Sequence, residues 1–151
     1  LLEDRDGEVR ATAAHALRLI TNVTYRTDWQ DGDLEARAKG LQRWKAAYNR
    51  TREASRAAWL VMGFRAEGYK VPTLEQKHLW ELVRATTGGD HLSYNAQRLL
   101  VRLTDHDPES GAWSKNDACQ HWLRWLKKRR KAYKLKKPPK RVTAACYSPA
   151  F

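Results

Sequence analysis

Three groups of side chains in this sequence have the types and spacing to do chemistry. His106, Cys119 and His121 carry the donor atoms of a transition-metal site, if the fold brings them together. Asp105, Asp107 and Glu109 alternate through one loop like oxygen ligands around calcium. Pro108 interrupts them, however, and no Glu stands at the closing position of an EF-hand. Scattered surface or core histidines and a solvated acidic loop are the better readings of both, so no metal or cofactor is expected. The third group is cationic. Between Arg124 and Arg141 lie eleven Lys and Arg, and Ala118 to Phe151 contains no Asp or Glu. Such a run offers salt-sensitive attraction to polyanions.

Catalytic arrangements are missing. There is no glycine-rich phosphate loop, no zinc-spaced cysteine pair, no metalloprotease helix motif and no nucleophile elbow. The expectation is therefore no enzyme, with partner binding carried by the basic segment. Its residues are Lys127, Lys128, Arg129, Arg130 and Lys131 at a helix end, then Lys134, Lys136, Lys137, Lys140 and Arg141 beyond it. Trp125, Tyr133 and Leu135 are interleaved with them, and aromatic rings can stack on bases. Tyr147 and Phe151, with Pro149 between, suit the anchor of an arm that orders on an acidic protein neighbour. Nucleic acid and anionic lipid are the other polyanions such a tail would meet. A solvated helix end with a floppy tail is the plain alternative.

The charge is unevenly spread. The chain of 151 residues carries a net charge of +12, yet outside 118–151 eighteen cations face 17 acids. The body is nearly neutral and long enough for one domain with a real core. No apolar run approaches the length that crosses a membrane. Cys119 and Cys146 make no framework. They either join in one disulfide in an oxidising compartment or remain two thiols, and spacing does not choose. The chain opens on Leu1-Leu2-Glu3-Asp4, which reads like the end of a helix. Removal of a signal peptide and truncation fit this equally, which leans localisation slightly to the cell envelope.

Helices must position these groups. Gly and Pro are sparse, and Ala, Leu, Arg and Lys abound. Asp6 is expected to cap a first helix that turns Val9, Ala13, Ala16, Leu17 and Ile20 to one side. Asp33 caps a second, running from Leu34 to about Tyr48, and Gly68 stops a third, apolar one after Ser55. Thr73-Leu74-Glu75-Gln76 has the form of a capping box. Asp90 and Asn116 are expected to cap the helices that follow. Pro138-Pro139 ends any helix, so the residues beyond should be extended. The seven Trp supply buried area and polar handles. Trp29, Trp44, Trp59, Trp113, Trp122 and Trp125 are expected to pin loops and helix crossings.

One pattern occurs twice, from Val9 to Trp44 and from Leu92 to Trp125, with Thr24 set opposite Thr104. An apolar helical run ends in a hydrophobic-Thr step; a Trp-bearing polar loop follows; an Asp- or Asn-started helix carrying Trp closes the unit. Such internal similarity is the signature of repeat architectures.

The stretch Leu1-Leu2-Glu3-Asp4-Arg5-Asp6-Gly7-Glu8-Val9-Arg10-Ala11-Thr12-Ala13-Ala14-His15-Ala16-Leu17 resembles the turn and second helix of a HEAT repeat. The resemblance implies that Asp6 and Arg10 bridge to a preceding repeat, where one exists. Ser55-Arg56-Ala57-Ala58-Trp59-Leu60-Val61-Met62-Gly63-Phe64, with Gly68-Tyr69, is similar to bacterial HEAT-like proteins carrying Trp-rich inserts. The Leu-Thr-Gly step of that family is replaced here by Val23-Thr24-Tyr25 and Leu103-Thr104-Asp105.

The expected architecture is all-α, a short α-solenoid of HEAT-like helical hairpins with Trp-containing loops. A helical-repeat domain would span 1–133, as two related units of about 4–53 and 74–133. A basic extended C-terminal tail would span 134–151. The function expected of it is a non-enzymatic scaffold or accessory subunit that binds other proteins in a larger assembly. The alternative is a sequence-nonspecific nucleic-acid-binding module that uses the basic helix and tail.

Overall fold

The computed structural model describes residues 1–108 and 114–147. Glu109, Trp113, Pro149 and Phe151, singled out above, lie outside them. The described residues form seven α-helices and no strand, as the composition predicts. The chain divides into two compact units, Leu1–Gly63 and Phe64–Phe151.

The first unit holds α1 (Gly7–Thr21), α2 (Leu34–Thr51) and most of α3 (Arg56–Ala66). Asp6 and Asp33 cap α1 and α2 as expected, their carboxylates accepting from Glu8 N–H and Ala36 N–H. Each satisfies one of the donors that a helix start leaves open. Ala14, Val23, Trp29 and Trp44 form the buried centre, and Leu17, Leu41 and the partly buried Trp59 pack on it. Trp44 also takes the edge of Tyr25 at 5.0 Å. Trp29 does fold back on this core, being only 4% exposed.

Arg10 clasps loops of its own unit. Its guanidinium is buried and donates to four carbonyls: Trp29 O, Asp4 O and Arg5 O at 2.8 Å, and Gln30 O at 2.9 Å. Two loops far apart in sequence are clasped by one side chain. Asp6 is likewise occupied in capping α1.

The second unit is built around α4 (Leu79–Ala85), which is short and almost wholly buried: Leu79, Trp80, Glu81, Leu82, Val83 and Ala85 are all inside. Such a helix cannot be a surface element and must be covered on every side. The covering elements are α5 (Asp90–Thr104), α6 (Lys115–Arg129) and α7 (Lys140–Tyr147).

Several boundaries depart from expectation. The capping box at Thr73 does not start a helix; a single 3-10 turn, Gln76–His78, precedes α4. The amide of Gln76 donates instead to Leu103 O, 2.8 Å away, satisfying one of the carbonyls that the end of α5 leaves open. The N-caps of α5 and α6 are Gly89 and Ser114, not Asp90 and Asn116. Ser114 Oγ accepts from Asp117 N–H, which Asn116, already inside the helix, cannot do.

α1 and α5 end in the same way. Thr21 Oγ donates to Leu17 O and Thr104 Oγ to Leu100 O, each at 2.7 Å. Each Thr precedes a left-handed residue, Asn22 with φ 60° and Asp105 with φ 52°. The structural equivalent of Thr104 is therefore Thr21, not Thr24. What repeats is a helix terminus, and Asn and Asp tolerate the left-handed geometry it needs.

The largest correction concerns the C-terminal segment. Lys140–Tyr147 is the helix α7, not an extended tail. Pro139 stands where a helix begins, its carbonyl accepting from Val142 N–H at 3.0 Å. Proline suits the first turn because the amide it lacks would have no partner there. Val142 and Cys146, one turn apart on α7, are fully buried. A disulfide joins Cys146 to Cys119 on α6.

A candidate binding face on the second unit

The basic segment folds back rather than trailing away. Lys127, Lys128 and Arg129 occupy the last turn of α6, where cations complement the helix dipole. Leu135 N–H then donates to Arg130 O at 2.8 Å, and Lys134 takes a left-handed φ of 53°, which closes the turn and buries Leu135. Lys136 carries the chain across Trp80, whose indole N–H donates to Lys136 O at 3.0 Å. Lys137, Pro138 and Pro139 lead into α7.

Arg141 is engaged within the fold. Its Nε and Nη2 donate to Glu81 Oε1 at 3.0 and 2.7 Å, while Arg84 holds Oε2 through Nη2 at 3.0 Å and Nε at 3.3 Å, and Lys70 N–H adds a fifth bond. Burial pushes the Glu81 carboxyl up, but the Arg141, Lys70 and Arg84 hydrogen bonds outweigh it and hold the group below its ordinary range. Glu81 was not singled out in the sequence. Its signal was there: a lone acid inside the apolar run Leu79-Trp80-Glu81-Leu82-Val83 must be paired or neutral.

The other cations have no such occupation. Lys127, Lys128, Arg130, Lys131, Lys134, Lys136, Lys137 and Lys140 take part in no ion pair among the described residues. All but the half-buried Arg130 are exposed. Their backbone is fixed by α6, the closed turn and α7, so the segment presents charge of one sign from folded chain, a basic ridge along the sequence. Tyr147 ends α7 on the surface, 55% exposed.

The aromatic rings nearby are already engaged. The Arg129 guanidinium lies 4.5 Å over Trp125, and His106 stacks on Trp125 at 4.3 Å with the rings 8° from parallel. Tyr133 packs on Trp125 and donates its hydroxyl to Thr104 O at 2.9 Å. Trp122 is buried. None of these is a vacant platform for a base.

The proposed trio of His106, Cys119 and His121 does not assemble, because Cys119 is bonded to Cys146. The two histidines do meet, with their Nε2 atoms 3.1 Å apart. Both resist protonation. Burial is the main cause, joined by Arg129 at His106, and by His106 and Arg124 at His121; Asp107 pulls His106 the other way. Asp105, from the calcium-like loop, is the left-handed cap of α5.

The first unit has an open apolar trough of about 550 Å³, lined by Leu17, Ile20, Leu41, Trp44, Tyr48 and Trp59 among others. Ile20 and Tyr48 are 51% and 61% exposed there. No helix among the described residues is long and apolar enough to cross a membrane. The chain matches no protein-family model, no curated protein and no solved structure.

Proposed function

We propose that this chain is a non-enzymatic scaffold or accessory subunit that docks on the acidic face of another protein in a larger assembly. The observation that carries this reading is the run of exposed cations between Lys127 and Lys140, which make no ion pair among the described residues and are held by folded backbone on both sides. A fixed ridge pays little ordering entropy on binding, and rim charges of one sign set encounter rate and orientation. The stacked-hairpin, HEAT-like solenoid belongs to the same reading. It is supported by the pair α4–α5 and by the shared ending of α1 and α5, and such folds serve as protein-binding surfaces. The Cys119–Cys146 bond supports an oxidising location such as the cell envelope of a bacterium.

The test is capture of a defined partner from native extract by the full chain and by a variant with Lys127, Lys131, Lys136 and Lys137 changed to Glu. A stoichiometric protein lost from the variant is the expected result. A monomeric chain that retains no protein would count against the reading.

The same ridge favours a second reading, a nucleic-acid-binding module without sequence preference. The occupied rings of Trp125 and Tyr133 restrict it to contacts with phosphates. Binding would then fall steeply with salt and show no preference for single strands. Titration with mixed-sequence duplex and single-stranded DNA at graded salt separates the two readings, and vesicles with and without anionic lipid cover the lipid alternative.

A further inference from the structure

The His106–His121 contact has an unusual geometry. The ring centroids are 5.4 Å apart, the planes 12° from parallel, and the Nε2 atoms 3.1 Å apart. An imidazole nitrogen lies about 1.2 Å from its ring centre. One such radius at each end of the 3.1 Å contact accounts for the whole 5.4 Å separation. The rings are therefore end to end and nearly coplanar, not face to face. Each Nε2 points straight at the other, one donating an N–H and the other accepting with its lone pair.

We propose that His106 and His121 form a two-coordinate site for a monovalent d10 coinage-metal ion, copper(I) in the cell, which takes the place of the proton shared by the two Nε2 atoms. Two lone pairs aimed along one line are what a linear ion of this class accepts. The donating ring moves its proton from Nε2 to its own Nδ1 through solvent, so that both rings ligate as neutral imidazoles. Two metal–nitrogen bonds form, one Nε2–H bond is exchanged for an Nδ1–H bond, and no electron is transferred.

Two bonds of about 2.0 Å in line span about 4 Å, so the contact must lengthen by roughly 1 Å. His121 is fixed on α6, whereas His106 lies in irregular chain after the left-handed Asp105 and can supply the movement. The indole of Trp122 stands nearly perpendicular to both imidazoles, and Trp125 covers the face of His106. These walls keep the rings in line.

Charge and ligand number select the ion. Arg129 and Arg124 are close enough to disfavour protonation of the pair, and they would penalise a divalent ion about twice as much. No cluster of three or more His, Cys, Asp or Glu suited to a metal exists among the described residues, so tetrahedral zinc has no ligand set here. Imidazole is a good ligand for copper.

Silver(I) is the redox-inert probe, added to the full chain with its disulfide intact in chloride-free buffer. With no free cysteine, there is no thiolate to compete. One equivalent should quench tryptophan fluorescence. Nitrogen NMR of the histidine-labelled chain should show the Nε2 resonances of His106 and His121 shifting together and coupled to the same silver nucleus. H106Q and H121Q should each weaken this event at least tenfold, and H15Q should leave it unchanged. Competition with a copper(I) chelator should give the same stoichiometry. Silver seated on a single imidazole or on Met62, or bound equally by both variants, would overturn the site. Silver binding without copper(I) binding would overturn the copper assignment. The wild-type NMR result stands whether or not the variants fold.

Discussion

Arg10 is buried with no ion pair among the described residues, and four carbonyls solvate it in place of a carboxylate. A fork of rigid donors can serve loops on two sides at once, and a lysine ammonium cannot. R10K should therefore cost about 2–3 kcal/mol, the scale of losing charge-assisted hydrogen bonds inside a protein. Urea unfolding followed by tryptophan emission measures it, and an unchanged midpoint would mean the clasp contributes nothing. The histidine pair makes a prediction of a different kind. His106 and His121 resist protonation in the folded chain, while an unfolded histidine takes up its proton near pH 6.5. The stabilisation is thus complete above about pH 6.5 and is lost as pH falls towards the depressed folded values. Tm should be flat from pH 8 to 7 and drop on the way to pH 5. A double H106Q/H121Q variant should lose part of that slope, because a second proton on the pair sets N–H against N–H.

At the scale of elements, two contacts decide how helices end. Gly63 lies on α3 where the helix crosses Asn22, and a Cβ there would fall inside the Asn22 side chain and backbone. Helix propensity alone would make G63A stabilising by about 1 kcal/mol. The close approach reverses the sign, and a loss of about 2 kcal/mol or more is expected, since overpacking moves backbone. Thermal unfolding distinguishes the two. α7 is held by Val142, by the Cys119–Cys146 bond and by Glu81, whose carboxylate ties Arg141 on α7 to Arg84 on α4. E81Q leaves two guanidinium groups short of their counter-charge. Arg141 is half exposed, so the loss should fall below that of a fully buried pair, at about 2–3 kcal/mol. Hydrogen exchange should show it first in 140–147. Exchange rates there matching the parent would mean that the ion pair does not hold α7.

Over the whole chain, charge is nearly balanced outside 118–151 and concentrated in the basic ridge of the second unit. Association through that ridge should weaken with salt, whatever the polyanion. Changing Lys127, Lys131, Lys136 and Lys137 to Glu should reduce association by at least tenfold at 0.1 M salt and leave Tm within a few degrees, because these side chains make no ion pairs among the described residues. A variant that binds as well as its parent would remove the ridge from the account. Proteolysis is the complementary measurement. An extended arm would be cut after its lysines at once, whereas the folded segment through 147 should resist until the disulfide is reduced.

Much of the local structure was legible in the sequence. The helical class, the caps at Asp6 and Asp33, the stop at Gly68 and the inward turn of Trp29 all rest on short-range chemistry: who donates to the first amides of a helix, which residue tolerates a positive φ, which ring is too apolar to leave outside. The basic run was legible too, since charge is additive along a chain. Pairing was not. Whether Cys119 met Cys146 or a metal, whether Gln76 capped its own helix or the end of α5, and whether Pro138-Pro139 ended a helix or opened one were settled by partners distant in sequence. The same holds for Glu81, whose two arginines include one 60 residues away, and for the end-to-end meeting of His106 and His121. A local pattern sets what each side chain can do. Only the tertiary structure, by burying some donors and acceptors and bringing others within 3 Å, decided which of those options was taken.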